Sequence, residues 1–416
     1  MNRTIIIAAV SDIVERAFQE TGSLGNGATI HDMEAAARKA TRQFGQLMIQ
    51  AQADEAGNGY AGSRIPCECG AMMRHIGNRS RTVATWCGQM TLERAHYRCD
   101  RCGASVIPLD EQLCMPKGRF SESIIEAISY CSAQLPFECA SETLERLIGI
   151  SVSPKEAQIL SEGIGAEMDE ELKAQAQITV TDGLDSTSKP NRLYLTIDGV
   201  MVRELDGWHE TKVSAIYDAM PDVESDGVCA DVANDITYVA RKASPDEFGT
   251  HVSAEAQRRG EADATEVIAL GDGAVWIWNL VDTCFPEAVQ IIDWYHATEH
   301  IWEFARILYE GNEERCKAWV DEQLGLLSGG QVEGLVDRLR AMTGLRNEAS
   351  AGRNDLARYL ETNRERMRYD EYRAKGYHIG SGVVESACKS VVQIREKRPG
   401  MRWSAEGSQK VLNLRT

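Results

Sequence analysis

Apolar positions along the chain change period several times, and each change marks a different kind of element. Residues 1–60 show helical spacing in "DIVERAFQE" and "HDMEAAARKATRQFGQLMIQAQADEA", separated by the Gly-rich "TGSLGNGAT". This predicts a helical arm that ends in the linker "GNGYAGS". Residues 61–119 alternate in "RTVATW" and "MTLERAHYRC", which predicts a small β unit. Residues 120–180 return to helical spacing, and "SETLERLIGISVSPKEAQIL" predicts two short helices with Gly149 at the turn. Ser153, Pro154 and Glu156 form a capping-box pattern with proline at the first helical position. The pair fits either a helix-turn-helix that reads DNA or plain scaffold.

After a polar linker, "TDGLDSTSKPN", the strands "RLYLTID", "TKVSAIYD" and "ITYVARK" come in succession. A helical stretch, the strand "EVIALGD", a further helical stretch, the strand "AVQIID" and the helix "ATEHIWEFARILYEG" follow. Three hairpin strands and then strand–helix alternation predict a mixed sheet with helices on its faces over 190–310. Residues 311–375 are charged and helical, an insertion before the pattern resumes over 376–416.

At 416 residues the chain exceeds one ordinary core, and its 43% hydrophobic and 26% charged residues suit a globular protein. No apolar run reaches the ~20 residues of a membrane span. "TIIIAAV" stops at Ser11-Asp12, too short for a secretion signal, so a cytoplasmic protein is expected, with no membrane partner. The net charge of −18 argues against nucleic acid until its distribution is considered. Residues 64–119 hold nine Lys or Arg against five acidic residues, and residues 364–402 hold ten against five. Local patches, not net charge, neutralise phosphates.

Twelve cysteines in such a chain point to metal or burial rather than disulfides. Cys67 and Cys69 in "CECG" and Cys99 and Cys102 in "CDRCG" supply the four thiolates of a structural Zn²⁺ ribbon. Cys87 and His75 are weaker substitutes, since neither sits in a knuckle. Cys114, Cys131, Cys139, Cys229, Cys284, Cys316 and Cys388 stand alone and are expected in the core.

Two aspartates end apolar strand-like runs: Asp198 in "LTIDGV" and Asp272 in "VIALGDG". Groups at neighbouring strand ends converge on one crevice. Two carboxylates there repel unless a divalent cation lies between them. Glu385 in "GSGVVESACK" completes a hard-metal set, on a helix that Ser381 is placed to cap. Asp293 and His296 in "DWYHATEH" add a carboxylate at another strand end and a candidate proton donor or phosphate contact. The bland alternative is two turn aspartates and a surface Glu385–Lys389 pair.

Taken in order, "LTIDGV", "GDGAVWIWN", "IIDWYHATEHIW", "GSGVVESACK" and "KRPGMRWSAEGSQKVLNLR", preceded by "CxCG … YxCxxCG", resemble a bacterial insertion-sequence transposase of the ISKra type. That group is distantly similar to Mutator-like transposases. The likeness covers roughly residues 60–416. It implies a ribonuclease-H-like catalytic domain with a helical insertion, behind a zinc ribbon and a helical DNA-binding region. It further implies an Asp198–Asp272–Glu385 triad holding Mg²⁺ or Mn²⁺, with Asp293 and His296 matching an Asp-x-x-His element. The implied partner is DNA, element ends and target alike, engaged by a homo-oligomer and so on the nucleoid. It also implies a short continuation beyond Thr416. The basic stretch after Glu385 is expected to contact the DNA backbone through Lys389, Arg395, Lys397, Arg398 and Arg402, the bland alternative being a solvated helix terminus. A DNA-binding protein that does not cut, or a nuclease without strand transfer, is the alternative reading.

Overall fold

The computed structural model describes residues 3–23, 27–181, 189–223 and 229–416. It is a mixed α/β protein that divides into two compact units, Met1–Ser161 and Glu162–Thr416. Part of the 181–191 linker lies outside the described residues.

The first unit opens with helices α1 (Arg3–Ser23) and α2 (Ile30–Glu55). Thr29 and Asp32 form a complete capping box at the start of α2. Next comes an antiparallel sheet in the order β1 (Arg64–Pro66), β2 (Met72–Thr85), β3 (Gly88–Cys99), β4 (Ser105–Val106). β4 covers only the end of β3, which leaves the rest of that strand an open edge. The Gln50 side chain of α2 closes it as another strand would, donating to Thr91 O and accepting from Thr91 N, both at 2.9 Å.

Helices α3 (Pro108–Gln112), α4 (Glu122–Gln134) and α5 (Phe137–Ile148) follow, and α6 (Pro154–Thr181) begins in this unit and runs on past its end at Ser161. Phe120, Ile124, Ile128, Leu144, Ile150, Val152 and Ala157 bury a common core for α4, α5 and the start of α6. Gly149 ends α5 at φ +63°, where a side chain is strained. The second helix of the expected pair is not short, since α6 runs for 28 residues. Its capping box is half made. Ser153 Oγ accepts from Glu156 N at 3.2 Å, but the Glu156 carboxylate pairs with Arg119 instead of reaching back.

The second unit is built on a five-stranded sheet. Its strands are β5 (Arg192–Arg203), β6 (Trp208–Val223), β7 (Cys229–Arg241), β8 (Glu266–Gly271) and β9 (Val289–Ile292), in the order β7-β6-β5-β8-β9. Only β6 runs against the others. Helices α7 (Pro245–Arg258), α8 (Val275–Cys284) and α9 (Trp294–Leu308) connect and follow the later strands.

The stretch 311–375 is all helical as expected: α10 (Glu313–Ser328), α11 (Val332–Ala341), α12 (Asn347–Asn363) and α13 (Tyr369–Ala374). It has no core of its own. Leu327, Leu335, Leu360, Tyr369 and Tyr372 belong to the same buried cluster as Leu195, Leu270 and Ile291 of the sheet. The chain ends with α14 (Gly382–Ala387), a π-helical turn Cys388–Gln393, α15 (Ile394–Glu396) and α16 (Ala405–Asn413). Among the described residues no helix is long and apolar enough to cross a membrane.

Candidate functional site

Strand pairing brings the aspartates level. Thr196 pairs with Leu270, and Leu270 pairs with Ile291. Two residues further along each strand stand Asp198, Asp272 and Asp293, in one row across β5, β8 and β9. Asp272 and Asp293 directly follow their strands, but Asp198 does not end β5, which continues to Arg203. β8 pairs with β5 only from Arg192 to Thr196, whereas β6 follows it all the way. Asp198 therefore stands where one of its neighbours stops, half open on that side.

Each carboxylate is partly occupied by local backbone. Asp198 Oδ1 accepts from Gly199 N at 2.7 Å, and Asp272 Oδ1 accepts from Ala274 N at 2.8 Å. The turn after Asp272 needs glycine, because Gly273 has φ +103° and a Cβ there would meet the Tyr359 ring at 2.9 Å. Burial pushes the Asp198 carboxyl above its ordinary range, and the negative charge of Asp272 adds to the rise. The Cys388 thiol lies 3.5 Å from Asp198 Oδ2. Cys388 stands three residues after Glu385, at the start of the π turn, a feature that often marks functional sites.

Asp293 is fully buried and serves as the N-cap of α9, accepting from Tyr295 N at 2.7 Å. Its Oδ2 accepts from Ser381 N at 3.2 Å and also faces the Ser381 hydroxyl. That same hydroxyl lies 3.0 Å from Glu385 Oε1. Ser381 does occupy the N-cap position of α14, but its side chain makes no cap bond. It links the buried Asp293 to the exposed Glu385 instead. A hydroxyl has one proton, so it donates to one carboxylate at a time.

Asp198 and Glu385 line a cleft of about 570 Å³ with Tyr295, His296, Glu299, Trp302 and Arg306 of α9. His296 is half-buried there, 3.9 Å from Glu299. The oxygens of Asp198, Asp272 and Glu385 are not all within 4.8 Å of one another. Among the described residues two groups do meet that limit. One is Glu204, Asp206 and His209, already tied up by the Lys242–Glu204 and His209–Asp206 pairs at 2.7 and 3.0 Å.

The other group is the four cysteines. Cys67 and Cys102 sulfurs are 3.6 Å apart, and those of Cys69 and Cys99 are 3.7 Å apart. Tetrahedral zinc with ~2.3 Å bonds requires about 3.8 Å between sulfurs, so the set fits the ion. Each knuckle is closed by a glycine that only glycine suits: Gly70 at φ +82° bonds to Cys67 O, and Gly103 at φ +77° bonds to Cys99 O. The Cys102 backbone N–H holds the Cys99 thiol down, to about 6. Cys87, in the turn between β2 and β3, and His75, packed against Tyr60 and Tyr97, stand outside the group. A family model described as "Uncharacterised protein family (UPF0236)" matches residues 26–416, which include both cysteine pairs and all the carboxylates above.

The chain belongs to UPF0236. It is 24% identical over 352 residues to the "UPF0236 protein in vanSb 3'region" of Streptococcus gallolyticus, covering 81% of this chain and 72% of that one.

In this UPF0236 member the basic stretch after Glu385 is only partly a surface. Lys389, Lys397 and Arg402 are exposed and Arg398 is half-buried. Arg395 is a correction: it is wholly buried, its guanidinium 4.8 Å from the Trp403 ring centre, and burial draws its pKa down to about 10. Adjacent basic residues of a helix end point in different directions, and position 395 faces inward. Of the isolated cysteines, Cys316 and Cys388 are buried and Cys131 and Cys284 partly so, but Cys114 and Cys139 are exposed. The Cys229 side chain lies outside the described residues. Sequence reasoning missed Ser381 as a link and Cys388 as a neighbour of Asp198. The only signal was their position, four residues before Glu385 and three after it.

Proposed function

We propose that this protein is a DNA transposase of an insertion sequence, which cleaves strands at element ends and joins them to target DNA. The observation that supports this reading is the row of Asp198, Asp272 and Asp293 at adjacent strand positions, with Glu385 linked to the row through Ser381. Three hairpin strands followed by two parallel strand–helix units fit the ribonuclease-H-like class that the motifs imply.

In this reading Asp198, Asp272 and Glu385 hold Mg²⁺ or Mn²⁺. Hard oxygen donors suit those ions, and the pKa of Asp198, raised first by burial and further by the charge of Asp272, marks a carboxylate that a cation would favour. When bound, the metal supplies Lewis-acid activation of the attacking oxygen. Glu385 would join the two aspartates from its exposed position on the first turn of α14. Asp293, buried and capping α9, positions Ser381 and through it Glu385. His296 is available in the cleft for a phosphate contact or proton transfer. Lys389, Lys397, Arg398 and Arg402 face the DNA backbone, and the four-cysteine site holds structural Zn²⁺.

The test is purified protein with Mg²⁺ and the DNA flanking its own gene, scored for end-specific nicks. Wild type should nick, and Asp198→Asn should not. Binding to the ends without nicking under any divalent metal would favour the non-cutting DNA-binding alternative.

A further inference from the structure

We propose that the uncovered end of one face of the β1–β4 sheet in the first unit, beyond the part that Val83, Met90 and Leu92 bury against Leu109, is a docking surface for the phosphate backbone of duplex DNA, built on Arg64, Arg74, Arg79 and Arg98. The proposal draws on the transposase reading only for the choice of polymer; the surface stands on its own geometry.

Antiparallel register sets three of these arginines in a single row across the sheet: Arg64 opposite Arg74, and Arg74 opposite Arg98. A second like pair, Arg79 opposite Arg94, follows. Directly opposed like charges destabilise a sheet, so two such arrangements on one hairpin work against its folding. Arg74 and Arg79 are five residues apart, a spacing that would put them on opposite faces of a regular strand. A bulge between His75 and Asn78 inserts one residue and brings them to the same face. Arg98, His96 and Arg94 alternate along β3 and so lie on that face too. Burial keeps the pKa of His96 low, and the charges of Arg79, Arg98 and Arg94 lower it further, which marks how closely they gather around it.

Most of the charges in the row are not neutralised by buried carboxylates. Arg94 and Arg81 share Asp110, at 2.5 and 3.5 Å, and are accounted for. Arg74 has only the exposed Asp100, at 3.0 Å, a kind of pair that contributes little in water. Arg64, Arg79 and Arg98 are exposed and have no carboxylate partner among the described residues. The opposite face, with pairs such as Ser80–Glu93 and Thr82–Thr91, shows no such concentration of cations. In a chain of net charge −18, an uncompensated cationic row fits a polyanion. Strands lie ~4.8 Å apart, so the row spans about 10 Å and can meet successive phosphates.

The test compares the full-length wild type with Arg64→Gln/Arg79→Gln/Arg98→Gln and with the same three positions changed to Lys. Fluorescence anisotropy with a random-sequence DNA duplex of about 30 base pairs is measured over ~50–200 mM KCl, without added divalent metal. Losing three phosphate contacts should reduce the salt slope by about 2.7, so wild-type affinity falls about 40-fold more over that range than the Gln variant's. The Lys variant should keep the wild-type slope, and zinc content should be equal in all three. An unchanged slope in the Gln variant overturns the proposal, as does a Lys variant that loses the slope as fully. Tighter binding of an RNA duplex of the same sequence would overturn the choice of DNA. Nicking is assayed separately on the same wild-type preparation. A failure there removes the catalytic reading and leaves the salt comparison unaffected.

Discussion

Ser381 connects the buried and exposed halves of the carboxylate site, and its removal separates two effects. Ser381→Ala leaves Asp293 Oδ2 with only the backbone N–H of residue 381 and frees Glu385 from its link. Stability should fall by ~1–2 kcal/mol for one lost hydrogen bond to a buried carboxylate. If divalent metal is held as proposed, its apparent affinity should fall as well, measured by Mn²⁺ titration of the purified variant. Asp293→Ala should be more damaging to stability, because it removes the cap of α9 (~1 kcal/mol) and leaves Ser381 without its buried acceptor. Chemical denaturation ranks the two, and the reverse order would refute this account of Asp293. Asp198→Asn should instead raise the stability of metal-free protein, since it removes a carboxylate that burial and Asp272 both penalise.

At the scale of elements, the C-terminal helices contain a titrating group distant in role from the site. Glu396 on α15 is 2% exposed, accepts from Ser408 Oγ at 2.6 Å, and is pushed by burial to about 7. Lys242 and Arg395 oppose that rise and Glu204 adds to it. A carboxyl whose folded pKa lies above its ordinary 4.5 stabilises the fold fully below that value. That contribution is lost as pH rises through about 7. His251, lowered to about 4 mainly by burial, acts in the opposite sense, its contribution present above 6.5 and lost as pH falls. The difference between wild type and Glu396→Gln isolates the carboxyl. The wild type should lose on the order of 3 kcal/mol relative to the variant between pH ~4.5 and ~7, read from urea unfolding at each pH. A pH-independent difference would mean that Glu396 does not titrate there.

For the whole molecule, two compact units with separate cores predict two unfolding transitions. The cysteine knuckles bring together β1, β2, β3 and the turn before β4, a small sheet whose cluster at that end is Cys67, Met73, Ala95, Tyr97 and Cys99. So small a core would depend on the proposed ion. Calorimetry of the full chain with a zinc chelator, or of Cys99→Ser, should lower or abolish one transition and leave the other in place. Loss of both together would show that the units unfold as one.

Local pattern was enough to define the thiol site and the order of elements. CxC and CxxC followed by glycine place ligands through turns of three or four residues, so no distant contact is needed to assemble each pair. The alternation of strands and the helical period of 311–375 are local in the same way. The sequence also pointed to Asp198, Asp272 and Asp293 beside apolar strands, and strand register sets them in one row although β5, β8 and β9 differ in length. It did not determine that Asp198 lies within β5, since that depends on β8 stopping at the Thr196–Leu270 pair while β6 continues. Nor could it turn Ser381 away from its cap toward Asp293, 88 residues earlier. Arg395 and Arg402 look alike in a basic run, and only packing against Trp403 hides the first and leaves the second exposed. Arg74 and Arg79 differ in strand phase until one bulge aligns them. In each case a residue's type and neighbours set what it can do, while its direction and partners depend on contacts made far along the chain.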